Sequence, residues 1–398
     1  MKMSIFLTSI WMVRSAAFVT RSHVRKSATT RLFSISTTDV NMGVSRLETL
    51  QDLLAKHGAP GSRGCADPND LEPVVLSSNE EDTPELISSL MGFEEYLNLH
   101  PHLYPLARSK RTGNIVCALR RAYADDATEW FENSSNAPWP IVEATLGGIG
   151  MQLLALNSEH LMRRIVCEAD FSGDGQEIVE KYNEGLGKGE INDKALDEPY
   201  EPGSVKKLGY GVDKYVLLRV GPFADIYESL ALGHAKRGDE SSSLISAEAA
   251  NSKISGFAST FLFYARLLSS FPNREEETRD AARMCLRIPL PSIGLSIDDF
   301  REAAVLGQLA NENDSDEEVL AKIQSMYEKI RESEQEDLTT SMSQGKTPEQ
   351  VAFDDANYIL DTVALTGGSW SEVRPKLAEI YMSVRRDDMA SFVNPKSL

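Results

Sequence analysis

The stretch ARSKRTGNIVCALRRAYADD, Ala107 to Asp126, gathers five cations, Arg108, Lys110, Arg111, Arg120 and Arg121, in a chain that is otherwise acidic. A basic loop feeding a helix N-terminus binds phosphate or carboxylate, because free backbone N–H groups and guanidinium forks both present donors to an anion. Read that way, Arg108, Lys110 and Arg111 precede Gly113 in the loop, and Arg120 and Arg121 stand on the predicted helix behind it. The same side chains suit an acidic partner surface, or internal pairing with Asp125, Asp126 and Glu129.

Other chemistry-bearing residues do not assemble into a site. His100 and His102, with His57 or an acid, lack a third ligand at recognisable spacing, so no metal is assigned. Asp170, Ser172, Asp174 and Gly175 begin like a calcium loop, but its twelfth position is Lys181 where a bidentate Glu is required, and its eighth is Glu177. Gly147–Gly150 is read as following no strand and precedes no Lys-Ser/Thr, so it reads as close helix packing and not as a phosphate loop. No nucleophile elbow is present, catalytic residues stay unassigned, and no cofactor is implied. Cys65, Cys117, Cys167 and Cys285 form no Cys-x-x-Cys pair and read as reduced thiols. Redox regulation would need one of them exposed beside a cation.

The elements that position these residues are read mainly as helices. Ser45, Ser296 and Ser369 each stand three residues before an acid, and Thr347-Pro348 adds a proline where its missing N–H costs nothing. Asp82 to Leu86 carries the same Thr-Pro start. Behind these caps, Leu47, Leu50, Leu53 and Leu54 keep helical spacing, as do Val319, Ile323, Met326, Tyr327 and Ile330, and more loosely Val351, Tyr358, Val363 and Leu365. Thr145 to Leu156 reads as a buried helix, Trp130 to Pro140 as buried aromatic anchoring, and Asn311 to Glu318 as a solvated helix start. The single strand expected is Lys214 to Val220. The fold class is therefore mainly α, stacked antiparallel helical hairpins with at most a minor β element.

Composition shifts divide the chain into a presequence at 1–38, a flexible segment with one short helix at 39–82, and a helical domain at 83–182. A Gly- and Pro-rich linker at 183–213 and a helical-hairpin domain at 214–390 follow. From Gly221 onward a helix runs to a Gly238-Asp239 turn, and a second helix follows it. A further helix breaks at Pro272-Asn273 before an alanine-rich one ending near Pro289. Ala231, Ala265, Ala281 and Ala282 would let these helices approach closely. The pattern resembles tetratricopeptide hairpins, though irregular in spacing. On VGPFADIYESLALGHAKRGDE, NREEETRDAARMCLRIPLPSIG and TPEQVAFDDANYILDTVALTGGSW, the half from Gly221 to Arg385 resembles a little-characterised soluble plastid protein family of plants and algae. That resemblance implies a stromal, mainly helical protein and carries over no catalytic residues.

The front end gives an address. Lys2, Arg14, Arg21, Arg25, Lys26 and Arg31 precede the first acid, Asp39, among many Ser and Thr. Ile5 to Val13 is an apolar core too short to span a membrane, and small residues, Ser15 to Ala17, follow it. A signal followed by a transit-like stretch resembles the bipartite plastid presequence of algae with complex plastids, with Ala17-Phe18 at the junction. The expected destination is the plastid stroma through the endoplasmic reticulum; the alternative is the mitochondrion or ordinary secretion.

The whole chain holds 41 Lys and Arg against 60 Asp and Glu, a net charge of −19. Removing the presequence leaves 35 cations against the same 60 acids, a net of −25. Such a surface repels nucleic acid and excludes a general nucleic-acid role. No apolar run reaches the ~20 residues of a membrane helix. The reading that follows is a soluble stromal scaffold or assembly factor with a protein partner, without an assigned activity. The alternative is a plastid enzyme that binds an anionic metabolite through the basic loop at 108–121, with His100 or His102 beside it.

Overall fold

The computed structural model describes residues 40, 43–76, 90–122, 138–173, 175–184, 186, 196–289, 294–340 and 347–395. The presequence, the Thr83-Pro84 helix start, Asp125, Asp126, Glu129 and Trp130 lie outside the described residues.

Helix α1, Leu47–His57, comes first, followed by strand β1, Leu71–Pro73, and a parallel pair, β2, Val75–Leu76, with β3, Leu90–Met91. Short helix α2, Phe93–Leu97, leads into β4, Leu103–Ser109, β5, Ile115–Leu119, β6, Ile141–Ala144, and β7, Met151–Ala155. Strands β1, β4, β5, β6 and β7 form one sheet in that order, antiparallel throughout. Pro105, which cannot donate to a ladder, sits where the β4–β5 register shifts at a bulge.

The sheet corrects the expectation of a minor β element and of a helical segment over 83–182. Both its faces are largely buried, so its central strand, Ile115–Leu119, is a continuous apolar run and the others hold few polar residues. Val116, Ala118, Ile141 and Leu154 face one core with Leu50, Leu53 and Leu54 of α1. Ile115, Cys117, Leu119, Val142 and Leu153 face a second core with Tyr96, Ile254 and Phe257. Thr145 to Leu156, expected as a buried helix, is instead a glycine turn followed by β7. The run Gly147–Gly150, expected to follow no strand and to pack helices closely, instead turns from β6 into β7; a Cβ on Gly150 would stand 3.0 Å from the Gly294 backbone, but one on Gly147 would meet nothing within 4 Å.

Helices follow to the C-terminus: α3, Ser158–Ser172; α4, Gln176–Glu184; α5, Ser204–Leu208; α6, Val212–Arg219; α7, Ala224–Lys236; α8, Glu240–Lys253; α9, Ser259–Ser269; α10, Glu275–Arg287. Then come α11, Ile297–Leu306; α12, Asp316–Thr340; α13, Pro348–Thr366; α14, Trp370–Ser383; and α15, Asp387–Val393. Among the described residues the chain is thus mostly helical, with fifteen helices and the five-stranded sheet. Lys214 to Val220, expected as a strand, falls mainly in α6. Val212, Val216 and Val220 recur every four residues, so one helical side carries the inward-facing apolar groups.

Local helix chemistry follows the sequence closely. Ser296 and Asp299 form a reciprocal capping box, and so do Thr347 and Gln350 with Pro348 behind the cap. Ser369 caps α14 by position but spends its hydroxyl on Ser371. Ser45 does not cap α1; its hydroxyl donates to Glu159, 114 residues away, in a buried cluster with Ser158. The hairpins α7–α8 and α9–α10 turn where expected, and Ala231, Ala265, Ala281 and Ala282 share one buried cluster between them. The series then breaks at α11, a single helix packed on α10 and α9. It is not the regular alternation of a tetratricopeptide array.

Candidate functional site

The five cations of 108–121 lie at two ends of a β-hairpin and not in a loop before a helix. Arg108 closes β4 beside Glu95 at 2.6 Å, Lys110 lies 3.2 Å from Glu72, and Arg111 lies 2.7 Å from Asp67. Asp70 shapes the turn by accepting from the Ser109 hydroxyl and the Arg111 backbone N–H. At the far end of β5, Arg120 is wedged between Trp139 and Phe392 and pairs with Asp388 of α15 at 2.9 Å. Arg121 lies over the Phe257 ring at 4.9 Å and donates to the Ser255 carbonyl. The five residues of β5 separate the two groups by about 17 Å. Each cation has a partner, and the five do not converge on one anion. The anchoring role expected for the aromatic stretch is seen at Trp139, which packs edge-on against Phe392 at 5.5 Å.

The histidines are core residues. His100 and His102 are both buried, and burial holds His100 well below the ordinary imidazole range and His102 down to about 3. The nearby Arg374 charge adds to both effects. His102 shares a 2.8 Å hydrogen bond with the Tyr381 hydroxyl, and His100 meets Trp370 edge-on. Among the described residues no group of three His, Cys, Asp or Glu side chains is placed to hold a metal. Asp170 of the calcium-like stretch accepts from the Tyr200 hydroxyl and the Gly203 N–H instead, and it lies within α3. All four cysteines are buried and unbridged. Burial pushes Cys65, Cys167 and Cys285 up to about 12, and Cys117 well above its ordinary value, so none is the exposed thiolate that redox control requires.

Sequence reasoning missed a set of arginines that join distant segments. Arg374 is fully buried, with Nε donating to the Leu97 carbonyl, Nη1 to Val393, and Nη2 to Tyr96 and Leu99. It thereby ties α14 to the end of α15 and to the turn before β4. The signal was present: Trp370, Arg374, Leu377, Ala378 and Tyr381 make one helical stripe, and an arginine in it must be satisfied internally. Arg46 pairs with Glu159 at 2.6 Å with both side chains buried. Burial works against the Arg46 charge, but the Glu159 carboxylate outweighs it and raises the pKa. Arg164 holds Asp225 through both Nη atoms, joining α3 to the start of α7.

The helical half carries an open groove of about 380 Å³. Its floor is Leu244 and Ile245 of α8, its rim includes Glu240 and Glu248, and Tyr264 and Arg274 form the opposite wall. Arg274 pairs with Glu240 at 2.9 Å and Glu277 at 2.8 Å, and the Tyr264 hydroxyl donates to Glu248. The arrangement has no nucleophile beside a base. It offers an apolar cleft with charged edges, which is the chemistry of docking.

Comparison with known proteins places this groove in a matched region. The family model described as the PAB middle domain matches residues 224–310, which hold α7 to α11. The PAB C-terminal domain matches residues 323–396, which hold most of α12 and then α13 to α15. The chain is similar to the protein named "Protein IN CHLOROPLAST ATPASE BIOGENESIS, chloroplastic" of Arabidopsis thaliana, with 31% identity over 296 residues. That likeness covers 73% of this chain and 78% of the plant protein. No solved structure matches.

Proposed function

The chain belongs to the family of the plant protein in chloroplast ATPase biogenesis, and on that premise we propose that it is an assembly factor for a plastid ATPase. It would act in the stroma by holding subunits on its helical surface before they join the complex. The observation that carries this reading is the extent of the likeness. Its 296 aligned residues exceed the whole span from 224 to 396, so they necessarily take in part of the sheet-bearing half as well. Helical hairpins supply extended surfaces suited to partner helices. Among the described residues no helix is long and apolar enough to cross a membrane. Plastid delivery is supported by the chloroplastic relative and by the Arg- and Ser-rich, acid-free N-terminus.

The test is removal of the protein from plastid-bearing cells, followed by native separation of the photosynthetic complexes. Assembled ATPase is expected to fall severalfold while pulse-labelled ATPase subunits are still made and other complexes hold their level. Unchanged ATPase in the absence of the protein refutes the proposal.

A further inference from the structure

We infer that the groove on α8 docks an amphipathic helix of a partner protein whose apolar stripe is flanked by cations; the inference rests on the assembly-factor reading. Glu240, Ser241, Leu244, Ile245 and Glu248 follow one another at i, i+1, i+4, i+5 and i+8, so they line one continuous side of α8. That side is about 12 Å long, or roughly two turns of an opposing helix. Ile245 is 63% exposed at its centre while Leu244 is nearly buried beneath, so the floor is a ready seat for an apolar anchor.

Charge chooses the occupant. Glu240 and Glu248 stand on one rim and Arg274 on the other, so two carboxylates line the groove against a single guanidinium. Arg274 is engaged with Glu240 and Glu277, which leaves Glu248, held only by the Tyr264 hydroxyl, as the rim carboxylate without a cation among the described residues. The whole chain at −19 steers cationic partners toward it. An acidic helix would meet repulsion along the Glu240–Glu248 rim and from the acidic chain as a whole, and an extended peptide would lack the open sheet edge it needs.

The probe is a fluorescent synthetic peptide of about four helical turns, with leucines on one face and lysines elsewhere, titrated against the full chain. Its twin has glutamates in place of the lysines. The lysine peptide is expected to bind at least about tenfold more tightly than its twin. Ile245→Asp should weaken it by about tenfold, whereas Leu218→Asp on exposed α6 should not. Ile245→Asp adds a negative charge, so attraction to the acidic surface alone would make it bind the lysine peptide better. Stronger or unchanged binding by Ile245→Asp, or equal binding of the twins, overturns the inference. Ile245→Asp placed in cells separates the two readings. Normal ATPase in that strain, with ATPase lost when the protein is deleted, rejects the groove and keeps the assembly role. Normal ATPase on deletion rejects the assembly role, and the titration still decides the groove.

Discussion

Replacing Arg374 with methionine should unfold the molecule at a markedly lower temperature. The guanidinium is fully buried and donates to four backbone carbonyls at 2.6–3.0 Å, those of Tyr96, Leu97, Leu99 and Val393. It also lies over the Tyr96 ring at 5.1 Å. Burial lowers the Arg374 pKa from its ordinary value, yet an arginine remains charged at neutral pH. Each hydrogen bond to a charged donor contributes about 1.5–3 kcal/mol, and the cost of taking the charge out of water offsets much of the sum. What decides the outcome is the aftermath. Methionine fills the stem's volume but leaves the Leu97, Leu99 and Val393 carbonyls without this donor, while Tyr96 keeps the Leu99 N–H. At about 1–3 kcal/mol for each buried unpaired acceptor, less the desolvation penalty that leaves with the guanidinium, the net cost is about 3–5 kcal/mol. With an unfolding entropy of about 2.1 cal/mol/K per residue over roughly 300 cooperative residues, the fall in Tm is about 5–8 °C. Scanning calorimetry of the wild type and Arg374→Met measures it directly. Arg374→Lys should recover only part of the loss, since an ammonium cannot reach four carbonyls in a planar fork. A shift below about 1 °C for methionine would refute the argument that this charge is the tie between α14 and the strand-bearing half.

Three further outcomes follow from the geometry. Burial, reinforced by Asp225 and opposed by Arg63 and Arg266, raises Glu228 to about 7 from the ordinary 4.5. The native state therefore holds a proton that the unfolded chain releases, and stability is lost as pH rises from about 4.5 through 7. Glu228→Gln should thus be more stable than wild type by about 1–3 kcal/mol at pH 8 and no different near pH 4.5, as read by urea titration at the two pH values. Glu159→Gln strands the buried Arg46 guanidinium and should cost about 3–5 kcal/mol in the same titration, whereas Lys110→Met, at an exposed pair, should cost less than about 1. A thiol reagent should find none of the four cysteines in the native protein and all four in denaturant; a fast-reacting native thiol would contradict their burial.

What the amino-acid sequence determined by itself was local. Helix spacing, the capping boxes at Ser296 and Thr347, and the turns at Gly238 and Pro272 depend on neighbours within a few residues, and these gave the hairpins of the second half. The sheet was hidden because its strands are short and its central one, Ile115–Leu119, is apolar on both sides, with no polar alternation to separate it from a buried helix. The fate of the basic stretch was equally out of reach. Arg120 finds Asp388 at a separation of 268 residues, and Glu95, Glu72 and Asp67 reach the hairpin from segments that only folding brings beside it. The groove depends on which side of α8 its neighbours leave uncovered: Leu244 and Ile245 are adjacent and equally apolar, yet packing against α7 and α9 buries one and leaves the other open. Periodicity and caps are set by short-range sterics and hydrogen bonds, while pairing and exposure are set by which distant surfaces the core brings together.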